Sequence, residues 1–90
     1  MEELRSVEIV NKRGLHARAA ARFANLAATF ASQIQVRRGE LAANGKSIMG
    51  LMMLAAPQGT ELLIQAKGND ARQALEALGA LVSDRFGEGE

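Results

Sequence analysis

The chain has 90 residues, 48% of them hydrophobic, with 11 basic and 10 acidic side chains and a formal net charge of +1. Such a length and composition imply one small folded domain over residues 1–90 with a single core. The near-neutral charge, with three Phe and no Trp or Tyr, argues against a nucleic-acid interface, which needs a basic field or stacking platforms.

With no cysteine and one histidine, disulfides, thiolate chemistry and Cys- or His-built metal sites are excluded. The N-terminal Met-Glu-Glu lacks the basic-then-apolar pattern of a secretion signal. No apolar run approaches the roughly 18 residues of a membrane span. The expectation is a soluble, cytoplasmic protein without metal or cofactor, whose chemistry uses His, carboxylates, hydroxyls, Arg or Lys.

Leu4 to Val10 alternates as a strand, with Val7 and Ile9 on one face, and Asn11 to Gly14 breaks it into a loop. From Ala17 the period changes. Ala19, Phe23, Leu26, Ala27 and Phe30 form one stripe of an alanine-rich helix. Ser32 to Arg38 alternates again, with Ile34 and Val36 inward, and Arg38-Gly39-Glu40 reads as a hairpin turn into a short strand over Leu41 to Ala43. Ser47 is placed to cap a short apolar helix, Ile48 to Leu54. After the Pro57-Gln58-Gly59 turn, Glu61 to Ala66 is a strand with Leu62, Ile64 and Ala66 on one face. Gly68-Asn69-Asp70 then opens a last helix striped by Ala71, Ala74, Leu75, Leu78 and Val82. Residues 87–90, Gly-Glu-Gly-Glu, read as a frayed tail. Arg37-Arg38 and Asp70 read as solvated charges. The order β-α-β-β-α-β-α implies an α+β fold, an open-faced β-sandwich with a four-stranded antiparallel sheet covered on one face by three helices.

Chemistry concentrates at Gly14-Leu15-His16-Ala17-Arg18. His16 falls where a loop meets the start of the first helix, beside backbone N–H groups without helical partners and the positive end of the helix dipole. That junction suits an anion held on the imidazole. Arg18 offers a planar fork of donors matched to phosphate oxygens, and Gly14 lets the chain turn closely beneath the ring. Residue by residue, an ordinary capping histidine beside a solvated arginine remains open. So does a core role for Met49, Met52 and Met53, although so short a helix hides only one face, and methionine suits surfaces that meet several partners. Ser47 alone is equally a plain helix cap.

The segment Asn11-Lys12-Arg13-Gly14-Leu15-His16-Ala17-Arg18 resembles the active-site segment of the HPr family, histidine-containing phosphocarriers of the bacterial phosphotransferase system. The resemblance continues through Gly45-Lys46-Ser47-Ile48-Met49-Gly50-Leu51-Met52-Met53-Leu54 and Gly68-Asn69-Asp70-Ala71, in the family's order and approximate spacing. It implies that His16 takes a phosphoryl group on Nδ1 from enzyme I and donates it to an EIIA-type domain, with Arg18 assisting the phosphate. It places Leu15, Ala17, Ala21, Ile48, Met49, Met52 and Met53 on the partner-docking surface. Ser47 matches the serine modified by a regulatory kinase, and reset by its phosphorylase, in some branches. One departure is Ala19, where the family usually has Pro; alanine still permits a helix, so a slightly looser site that retains function is expected. The protein is then a monomeric carrier, with no turnover of its own. The nitrogen-branch paralogue NPr, read by regulatory targets, shares the same histidine site. A true enzyme would need a cleft that 90 residues barely provide.

Overall fold

The computed structural model describes all residues 1–90. Its elements are β1 (Glu2–Glu8), α1 (Ala17–Ala28), β2 (Gln33–Arg38), β3 (Leu41–Asn44), α2 (Ile48–Met52), β4 (Glu61–Lys67) and α3 (Ala71–Ser83), followed by a 3-10 turn, Arg85–Gly87. The order is the expected one. The four strands form an antiparallel sheet ordered β1-β4-β2-β3, so the central pair comes from the middle and the end of the sequence.

Strict alternation explains which side is covered. Ile34 and Val36 of β2 and Leu62, Ile64 and Ala66 of β4 are buried, while Gln33, Arg37, Leu63 and Lys67 face outward. The three helices lie on the inward side. α1 buries Ala19, Ala20, Phe23, Ala24 and Ala27, and α3 buries Ala71, Ala74, Leu75, Leu78, Gly79 and Val82. Leu51 and Leu54 complete the core beneath α2. The many small side chains let the helices approach the sheet closely, so Phe23 and Phe86 fill much of the interior. No helix is long and apolar enough to cross a membrane.

Several local expectations change. β1 runs Glu2–Glu8 rather than Leu4 to Val10, because Glu2 to Glu8 pair in register with Lys67 to Glu61 of β4. Ile9 lies beyond the strand and is tied instead to the turn before β4, donating to Thr60 O (2.8 Å) and accepting from Gly59 N (2.7 Å). α2 ends at Met52, two residues early, since the chain leaves the helix through a left-handed turn at Ala55 (φ 50°). Arg38 is not a free charge. Its guanidinium donates to Leu54 O (2.9 Å) and Ala55 O (2.8 Å), satisfying carbonyls beyond the end of α2. Asp70 is the N-cap residue of α3 but makes no side-chain cap bond. Its carboxylate accepts from Ala31 N (2.8 Å), Ser32 N (2.9 Å) and the Ser32 hydroxyl, joining the start of α3 to the approach to β2.

The tail departs most from expectation. Residues 87–90 fold back on the domain, with Glu88 against Asn11 and His16 and Glu90 against Lys12 N. Arg85, Phe86 and Gly87 all have positive φ (56°, 55° and 75°), which turns the chain back after α3. Two of these three are not glycine, at a cost of roughly 1–2 kcal/mol each. Burying the whole Phe86 side chain offsets that cost, and Arg22 of α1 donates to Phe86 O. The segment therefore returns toward the start of α1.

Candidate functional site

The loop between β1 and α1 is built around a fully buried Asn11. Its Nδ2 donates to Gly14 O (2.8 Å), and its backbone carbonyl accepts from Gly14 N (3.2 Å), closing a tight loop over residues 11–14. Gly14 sits at φ +71°, and a Cβ there would lie 2.5 Å from Ala56 O and 2.9 Å from Pro57 Cα. Only glycine fits both the conformation and the gap. Leu15 N donates to Ala56 O (2.9 Å), which fastens this loop to the segment leaving α2.

His16 follows in an extended conformation (φ −80°, ψ −179°) as the N-cap residue of α1. Its carbonyl accepts the first helical bond, from Ala20 N (2.8 Å), and its imidazole makes no cap bond to the helix. The amides of the first turn thus precede the intrahelical ladder, and no acidic side chain stands among them. Ala19 occupies the third helical position and is fully buried, so the missing proline does not break the first turn.

The ring is held from outside the helix. His16 Nε2 contacts Glu88 Oε2, while Glu88 Oε1 accepts from Asn11 Nδ2 (3.0 Å). Glu90 accepts from Lys12 N through both carboxylate oxygens (3.0 Å each) and pairs with Arg85 Nε (3.2 Å). Partial burial would raise the Glu88 carboxyl. Hydrogen bonds from His16 and Asn11, with nearby positive charge that includes Arg13, outweigh it and hold Glu88 below the usual carboxylate range.

Around this contact, Lys12, Arg13, Arg18 and Arg22 share with residues 87–90 an open cleft of about 370 Å³. Arg18 is exposed there and belongs to neither ion pair of the chain. Four cations against Glu88 and Glu90 leave this cleft net positive beside the start of α1, a place where added negative charge is stabilised.

The other expected residues separate into two groups. Ile48, Met49, Met52 and Met53 are exposed, Met49 and Met53 by more than 70%, and form one apolar patch on α2 and the turn after it. Ala17 is exposed and Ala21 half-buried on α1, which packs against α2. Leu15 does not join them. Its side chain is 6% exposed and belongs to the core, so its assignment to the docking surface is corrected. Ser47 caps α2, its Oγ accepting from Gly50 N (3.0 Å). Glu88, which holds the imidazole, and Asn11, which holds Glu88, were not singled out from sequence. The available signal was two acidic residues, Glu88 and Glu90, shortly after the apolar Phe86, against four cations near His16.

The fold and this site define a small α+β domain that presents one histidine at the mouth of α1. The family model described as "PTS HPr component phosphorylation site" matches residues 4–84. The chain is 49% identical over 85 residues to phosphocarrier protein HPr of Neisseria meningitidis serogroup A, covering 94% of this chain and 96% of that protein. It is 45% identical over 84 residues to phosphocarrier protein NPr of Shewanella violacea, covering 93% and 92%. The crystal structure of HPr-C-His from Thermoanaerobacter tengcongensis superposes with a TM-score of 0.93 at 43% identity, covering 98% of this chain and 99% of that one. The chain belongs to the HPr family of phosphocarrier proteins of the phosphotransferase system.

Proposed function

We propose that the chain works as a single-domain, monomeric, cytoplasmic carrier in which His16 accepts a phosphoryl group from phosphorylated enzyme I and passes it to an EIIA-type domain, with no turnover alone. The observation that carries this reading is the placement of a partly exposed imidazole at the N-terminus of α1, beside free helix amides and the cations Lys12, Arg13, Arg18 and Arg22. An imidazole is a ready nucleophile near neutral pH, and the helix start and guanidinium groups stabilise the oxygens of a group bound to it. Arg18, not committed to either ion pair, is the residue free to turn to the phosphate. The exposed patch of Ile48, Met49, Met52 and Met53, with Ala17 and Ala21 alongside, serves as the docking surface for both partners. Adaptable methionines suit a surface that must fit two shapes. Ser47, at the edge of that patch, is the position where a serine kinase and its phosphorylase regulate docking.

A second reading, a nitrogen-branch carrier whose phosphorylation state is read by target proteins, is favoured by the likeness to an NPr protein. Incubation with phosphoenolpyruvate and each enzyme I of the two branches, with mass measurement and an acid-lability test, separates them. One acid-labile phosphoryl group from one branch is expected. No modification by either enzyme would refute the carrier function.

A further inference from the structure

We propose that Glu88 is a positioning residue for His16, holding its imidazole as the Nε2-protonated tautomer so that the Nδ1 lone pair is the one presented to phosphorus. This deepens the carrier reading and rests on it.

The contact is held from both sides. Glu88 Oε2 meets His16 Nε2, and its other oxygen is fixed by Asn11 Nδ2. Asn11 is itself fully buried and bound to Gly14 O within the loop that presents His16. Two residues before Glu88 the chain is anchored by the buried Phe86, and two residues after it Glu90 is clasped by Lys12 N and Arg85. A carboxylate so tethered is not a passing surface charge. Phe86 and Gly87 adopt left-handed conformations in the turn that delivers it.

The chemistry follows from proton counting. An ionised carboxylate carries no hydrogen, so a bond between Glu88 and His16 requires the proton on Nε2. Neutral imidazole has one N–H, which leaves the lone pair on Nδ1. In transfer, that lone pair forms the Nδ1–P bond while the bond from phosphorus to the donor protein breaks, its electron pair leaving with the donor atom. The proton stays on Nε2 throughout. The ring gains positive character as the bond forms, and the Glu88 carboxylate stands against the nitrogen that shares it. The same division of labour, a carboxylate that fixes one ring nitrogen while the other reacts, operates in hydrolytic triads. Nε2 and Nδ1 lie on different sides of the ring, so the carboxylate on Nε2 does not itself occupy the acceptor nitrogen.

Glu88→Ala and Glu88→Gln test the assignment. Both variants keep Phe86, so circular dichroism is expected to match the wild type. Nitrogen-15 spectra of the imidazole at alkaline pH should show one Nε2-protonated tautomer in the wild type and a mixture in Glu88→Ala. With phosphorylated enzyme I, Glu88→Ala should lower the maximal rate about tenfold, the low end of the loss when a metal-bound histidine is stripped of its outer carboxylate, with the half-saturating donor concentration unchanged. Glu88→Gln keeps an oxygen that accepts the Nε2 proton and should fall between. A faster Glu88→Ala would overturn the proposal and make the tail a plug on the site. An unchanged rate, or a slower rate with the wild-type tautomer, would overturn it as well. Failure of the wild type itself to accept phosphate would instead sink the carrier reading.

Discussion

Replacing Ser47 separates its two roles. Its Oγ accepts from Gly50 N at 3.0 Å, and the next residue, Leu51, is fully buried, so the cap sets the entry of α2 into the core. Ser47→Ala removes that bond and is expected to cost about 1 kcal/mol. For a domain of this size that is a fall in Tm of roughly 4–8 °C. Ser47→Asp keeps an acceptor at the same place, so its Tm should stay within about 2 °C of wild type. What Asp adds is a charge beside Met49, Met52 and Met53, which are exposed and unable to neutralise it. A partner closing over that patch must desolvate the charge. A penalty of about 1 kcal/mol would raise the half-saturating concentration of enzyme I about fivefold, leaving the maximal rate alone. The assay is initial phosphorylation of His16 at a series of enzyme I concentrations, beside thermal melts of the three proteins. Ser47→Ala should melt early yet transfer normally below its transition, and Ser47→Asp should do the reverse. If Ser47→Asp melts as early as Ser47→Ala, the cap argument is wrong. Wild-type transfer by Ser47→Asp at limiting enzyme I would move the docking surface away from α2.

Gly14→Ala forces a side chain into φ +71° and against Ala56 O, so a loss of about 2 kcal/mol or more is expected in denaturant unfolding; a loss under about 0.5 kcal/mol would show that the loop can relax. Arg18→Ala should slow phosphoryl acceptance without abolishing it, because the helix amides and three other cations remain. Equal rates by rapid-quench measurement would remove Arg18 from the site. The Asp70 carboxyl is held below the ordinary Asp range by the Ser32 hydroxyl and then the Ala31 amide, against an opposing effect of desolvation. A depressed folded-state value contributes stability at pH above the ordinary Asp range and loses it as pH falls through the folded value. Asp70→Asn should therefore melt earlier near neutrality and show a shallower decline of Tm on acidification below about pH 4. Parallel Tm–pH curves for the two proteins would contradict the Ser32–Asp70 contact.

What the sequence reveals depends on how local the cause is. The inward residues of β2 and β4 are legible because a period of two leaves no other face for Ile34, Val36, Leu62 and Ile64. The start of α1 at Ala17 and the Ser47 cap are legible because loop, cap and apolar stripe are adjacent in the chain. β1 is misplaced because Glu2 and Glu3 owe their strand conformation to pairing with Lys67 and Ala66, not to any pattern of their own. Leu15 looks like a surface residue beside His16, yet the bond from its amide to Ala56 O fixes the loop with that side chain in the core. Arg38 and Asp70 look solvated because their partners, carbonyls after α2 and amides before β2, are distant backbone groups that no side-chain pattern announces. The same limit applies to the site. Gly14, His16 and Arg18 lie within five residues, but Glu88 meets His16 across 72 positions. Its approach depends on the buried Phe86 and three successive left-handed residues, and Gly-Glu-Gly-Glu carries no periodicity that would foretell them.

The account stands on His16 as the phosphoryl acceptor. The most direct measurement is the mass of wild type and His16→Ala after incubation with phosphoenolpyruvate and the cognate enzyme I, before and after brief acid treatment. The wild type should gain one phosphoryl group and lose it in acid, and His16→Ala, folded by circular dichroism, should gain none. An acid-labile phosphoryl group on His16→Ala, or an acid-stable one as the only product on the wild type, would contradict the account.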